Sequence, residues 1–154
     1  MYFQHSILLA TLLTLAPALP LTHTTRAGAP LPKPITNCTT AALLLPAPFR
    51  PTAVTLSTLL YAYYLPPSDP RVVNGTSDSL FDACLQTCAG YGLPGDCASV
   101  FQAGDVPAPP RFGSPGGWAS VACELYGTQL AEADLEDLPE GEGWTEARAA
   151  ELEC

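Results

Sequence analysis

Six cysteines, Cys38, Cys84, Cys88, Cys97, Cys123 and Cys154, are the residues of this chain best placed to do chemistry. Three of them crowd the stretch CLQTCAGYGLPGDC, where Cys84 and Cys88 stand one helical turn apart and share a face. Thiolates bind zinc, exchange disulfides or staple a fold, and their spacing separates these uses. Zinc calls for two close Cys/His pairs; Cys84-x-x-x-Cys88 has no second pair, and the only histidines, His5 and His23, lie in the N-terminal leader. A thioredoxin-type centre calls for Cys-x-x-Cys, which does not occur. An even cysteine count behind a secretory leader points instead to three disulfides. Six cysteines permit 15 pairings, and spacing alone does not select one. No metal and no cofactor is expected.

Other chemistry finds little support. Loss of His5 and His23 on processing leaves no histidine to activate a serine or cysteine nucleophile. Carboxylates are plentiful, but the acidic segment 132–142 reads as polar and exposed, where burial does not tune a pKa. GSPGG lacks the Lys-Ser/Thr that follows a phosphate-cradling loop. No Asp-x-Asp-x-Asp-Gly loop offers a calcium site. The chain therefore reads as a non-enzyme, with a small carboxylate-dependent hydrolase as the minor alternative.

The surrounding sequence sets the context. Residues 7–15 form an apolar run too short to span a bilayer, followed by small residues, the pattern of a secretory signal with cleavage between about 18 and 27. Residues 1–27 are accordingly read as signal and leader, 28–37 as a proline-rich leader, and 38–154 as one secreted domain with an acidic segment at 132–142. No other segment is apolar enough for a membrane helix. The net charge is −9, with 15 acidic against 6 basic residues. Without a basic cluster the chain has no footprint for nucleic acid or an anionic membrane.

Element signals are uneven. Val54 to Leu65 is rich in β-branched and aromatic residues between Pro51 and Pro66 and predicts one or two strands. SDSLFDACLQTCAGYG predicts a helix: its apolar residues recur at three and four, Ser79 and Asp82 have capping-box spacing with Ser77 or Asp78 as alternative caps, and Gly90 and Gly92 supply the stop. CASVFQAG and WASVACELYG read as short strands around a proline-rich loop. Thr145 to Glu153 reads as a last helical turn or two. Within the first strand segment, Tyr61 and Tyr63 project to one face and Tyr64 to the other. These three tyrosines are the candidate ligand contacts, since such rings stack on sugars and anchor protein interfaces. Trp118, beside the strand of Cys123, reads as core. Asn74-Gly75-Thr76 and Asn37-Cys38-Thr39 match the N-glycosylation acceptor pattern.

A helix carrying Cys84-x-x-x-Cys88, a nearby Cys97 before SVF, and CELY on a later strand resembles the PAN/apple domain. The GYGLPGDC stretch is similar to that of fungal secreted members. The resemblance implies an α+β fold, a small twisted antiparallel sheet packed on one helix and stapled by disulfides. It implies the pairs Cys84–Cys123 and Cys88–Cys97, with Cys38–Cys154 closing the ends. It also implies a non-catalytic module that recognises cell-wall carbohydrate or extracellular protein. The alternative is an effector-like or structural secreted protein with one protein partner and no sugar. The acidic surface favours a neutral polysaccharide or a cationic protein patch.

Overall fold

The computed structural model describes residues 29–44, 48–111 and 113–154. The signal and cleavage region expected over residues 1–27 lies outside the described residues. In chain order the elements are β1 (Thr39–Leu43), β2 (Phe49–Pro51), α1 (Ala53–Leu56), β3 (Leu59–Leu65), α2 (Pro70–Asn74), α3 (Ser77–Ala89), β4 (Ser99–Pro107), β5 (Ala119–Tyr126), β6 (Leu135–Asp137) and β7 (Thr145–Glu153).

Five strands form one sheet in the order β1-β7-β4-β5-β3, every neighbouring pair antiparallel. A two-stranded ribbon, β2-β6, covers one face of it. Helix α3 covers the other. The protein is thus α+β, with a mostly antiparallel sheet, few helices and three disulfides. β4 lies in the middle and is buried on both sides, with Val100 apolar on one side of the pleat, Phe101 and Ala103 on the other, and the polar Ser99 and Gln102 buried among them. Val100 faces α3 within a cluster of Leu85, Leu125, Ala150 and Leu152. Phe101 faces the ribbon, meeting Phe49 edge-on at 6.0 Å and Trp144 at 6.2 Å between ring centroids.

Helix α3 forms where the apolar spacing placed it, but its start differs from the expected capping pair. Thr76 is the N-cap: its hydroxyl accepts from the Ser79 amide at 3.2 Å, while the Ser79 hydroxyl accepts from the Thr76 amide at 2.8 Å. The reciprocal pair is Thr76/Ser79 rather than Ser79/Asp82 because the turn after Gly75 leaves the Thr76 backbone extended, as a cap requires. Cys84 and Cys88 point from the buried stripe into the sheet side. Cys84 joins Cys123 on β5, Cys88 joins Cys97 just before β4, and Cys38 joins Cys154 across the outer strand pair. These are the pairs the resemblance implies, and no described cysteine is free.

Three segments depart from their sequence signals. Thr145–Glu153 is not helical; it is β7, inserted between β1 and β4. Its alanines and glutamates favour helix locally, but Ala147 and Ala149 alternate with Arg148, Ala150 and Leu152 across the pleat, and burial on both faces overrides propensity. Val54 lies in the single turn α1, capped by Thr52, so only β3 remains of the expected strand region. β1, unsignalled by its TTAAL sequence, is held along β7 by five residue pairs. The proline-rich leader also packs: Lys33 donates its amide to the Gln86 carbonyl at 2.9 Å, and Ile35 lies against the α3 cluster. The acidic segment is ordered by β6, whose Leu135 is buried, and by Arg50, which pairs with Glu136 at 2.8 Å and Glu142 at 2.7 Å.

Candidate functional site

The tyrosines of β3 sit on an edge strand, and register sorts them as alternation requires. Tyr61 and Tyr63 stand opposite Leu125 and Cys123 on the α3 face; Tyr64 stands opposite Ala122 on the other. Tyr61 and Tyr63 are tilted against each other, 6.4 Å between centroids, and pack on the α3 cluster. All three are half-buried, so their rings serve the sheet at least as much as any ligand. Burial pushes the Tyr63 hydroxyl above its ordinary range. Trp118, expected in the core, instead exposes 38% of its surface at the end of the loop before β5.

Tyr64 belongs to a polar cluster that sequence reading missed. Glu124, in the middle of β5, is only 5% exposed. Its carboxylate accepts from the Tyr126 hydroxyl at 2.6 Å and from the Tyr64 hydroxyl at 3.2 Å. Arg111 lies over the Tyr64 ring, 5.5 Å from its centroid, and reaches the Ala62 carbonyl at 3.4 Å. Burial pushes the Glu124 carboxyl up, against the pull of the two hydroxyls and Arg111. Burial, and then the Glu124 charge, pushes both tyrosine hydroxyls up as well. The sequence signal was a lone acid inside ASVACELY: Cys123 and Leu125 share one face, so Glu124 falls with Ala122 and Tyr126 on the other.

A cleft of about 260 Å³ opens between the α2–α3 corner and one end of the main sheet. Pro67, Val72 and Leu80 give it an apolar wall; Gly104, Asp105, Thr145 and Glu146 face them from β4 and β7. The sheet end is shaped by irregular pairing: β4 slips register between Gln102 and Gly104 against β7, and between Ala103 and Val106 against β5. Asp105 and Glu146 take positive φ, 55° and 51°, the non-glycine residues that do so among those described. A Cβ at Gly104 would meet the Thr145 hydroxyl at 2.6 Å, so any larger residue there would have to turn Thr145 aside. Thr145 donates its hydroxyl to Asp105 at 2.9 Å. The Glu146 carboxylate has no hydrogen-bond or ion-pair partner among the described residues. Ser77 also lines the cleft, and its buried hydroxyl has no hydrogen-bond partner among the described residues.

The sequon asparagines fall at the surface. Asn74 ends α2, exposed, with its side-chain amide donating to the Pro70 carbonyl at 3.0 Å; Asn37 is exposed in the turn before Cys38. Gly75 of the Asn74 sequon lines the cleft, whereas Asn74 itself, the Asn37 sequon and the three tyrosines do not. Among the described residues no three His, Cys, Asp or Glu side chains are grouped to hold a metal, and no helix is long and apolar enough to cross a membrane.

No family model, curated protein or solved structure matches this chain.

Proposed function

We propose that the protein is a secreted, non-catalytic binding module of PAN/apple type whose ligand is an extracellular protein presenting basic groups. The observation that carries the reading is the cleft at the α3 N-terminus, whose rim holds the carboxylates Asp105 and Glu146 in a chain of net charge −9. Support for the PAN/apple likeness comes from the layout: a 13-residue helix stapled twice to an antiparallel sheet, with a third bridge near the ends. Support for a non-catalytic role comes from the described residues, which include no histidine and no free thiol.

A second reading, recognition of cell-wall polysaccharide, draws on the exposed Trp118 ring. It is the weaker one because Tyr61, Tyr63 and Tyr64 are packed rather than presented as a flat platform. Incubation of the purified oxidised protein with chitin and β-glucan separates the readings. The protein reading expects no retention on either polymer and no release of soluble sugar. Retention that survives high salt supports the polysaccharide reading, and release of soluble sugar overturns the non-catalytic one.

A further inference from the structure

We propose that the cleft between the α2–α3 corner and the sheet end receives a single lysine or arginine side chain of a protein partner. The inference deepens the protein-binding reading above and rests on it for what carries that side chain. A basic side chain has two parts, an apolar stem and a cationic head, and the cleft offers each a wall. Pro67, Val72 and Leu80 suit the stem. Asp105 and Glu146 suit the head, and both have capacity to spare. Glu146 is unpaired among the described residues. Asp105 accepts one hydrogen bond, at Oδ2 from Thr145.

The Ser77 hydroxyl is a third observation, independent of the acids. A buried hydroxyl without a partner costs free energy, and rotation about χ1 toward the cleft would let it accept the missing bond from a donor arriving there. Two cations close in sequence to the lining residues are committed elsewhere: Arg71 pairs with Asp69 at 2.8 Å, and Arg148 pairs with Asp78 at 2.6 Å while lying over Phe81. Among the described residues no basic side chain lines the cleft.

Competing ligands fit less well. No aromatic ring lines the cleft, so a sugar ring would find no stacking partner. An anion would meet two full negative charges, which outweigh the roughly half charge of the α3 N-terminus. A calcium ion would want about six to eight oxygens, and no third acid joins these two among the described residues.

The test is a titration of the ¹⁵N-labelled, oxidised protein followed by amide shifts. The probes are Nα-acetyl-lysine N-methylamide, the arginine analogue, the neutral norleucine analogue and methyl β-glucoside. Lysine or arginine should give saturable shifts at Gly104, Asp105, Thr145 and Glu146, about tenfold tighter than norleucine. D105N/E146Q, and separately E146Q alone in case the pair disturbs the bulge, should weaken the response while amides elsewhere keep their positions. The inference is overturned by silent amides, by equal binding of norleucine, by a stronger response to the glucoside, or by variants that bind undiminished. Failure here with no polymer retention leaves the protein-binding reading standing; retention on chitin or β-glucan counts against that reading instead.

Discussion

A carboxylate inside a sheet is costly to desolvate unless hydrogen bonds hold it, and Glu124 has the hydroxyls of Tyr64 and Tyr126. Burial still outweighs them and raises the pKa of its carboxyl above the ordinary 4.5. The native state then binds this proton more tightly than the unfolded chain. Its contribution is fully present below pH 4.5 and is lost as pH rises through the folded-state value. Glu124→Gln should therefore flatten the decline of stability from pH 4.5 upward, measured as the urea midpoint against pH. Glu124→Ala leaves the buried Tyr126 hydroxyl and the half-buried Tyr64 hydroxyl without their acceptor and should cost about 1–3 kcal/mol at pH 4.5. Thr76→Ala removes the α3 cap and should cost about 1 kcal/mol, read from the same urea curves. Neither the Tyr64 partner of Glu124 nor the cleft was legible in the sequence: Tyr64 and Glu124 are 60 positions apart, and only the β3–β5 register brings them together, whereas alternation alone puts Tyr126 on the face of Glu124. The division of Tyr61 and Tyr63 from Tyr64 was legible, because alternation needs no partner strand.

Elements whose pattern is local were readable in the same way. The stripe of α3 and the alternation of β5 identify themselves, whereas β7 does not, since its alanines become strand residues only between β1 and β4. α1 was hidden because a single capped turn has no periodicity to detect. The two bridges of α3 are unequal. Cys84–Cys123 spans 39 residues and Cys88–Cys97 spans 9. In the chain-entropy model the first is worth about 4 kcal/mol and the second about 2–3. Paired serine variants should fall in that order in denaturant stability. A C88S/C97S variant less stable than C84S/C123S would show that strain or packing, not loop closure, dominates.

For the molecule as a whole, the bridge Cys38–Cys154, separated by 116 residues, carries the largest entropic share, about 5 kcal/mol. That is comparable with the whole stability of an ordinary domain, about 5–15 kcal/mol. Full reduction should abolish the near-UV circular dichroism; an unchanged spectrum and midpoint would mean the two apolar clusters suffice alone. The net charge of −9 acts at the same scale. Association with a basic partner should slow as salt rises, because screening shortens the reach of exposed charge to about 10 Å at 0.1 M. An association rate independent of salt would remove charge from the account of recognition.

The three bridges are nested, 88–97 within 84–123 within 38–154. Everything between Cys38 and Cys154 is therefore one closed covalent ring, and a ring cut once remains a single molecule. A protease that nicks the proline-rich loop between β4 and β5 would leave two strands of polypeptide joined by sulfur. The damage would be invisible on a non-reducing gel and appear as two bands only after a thiol is added.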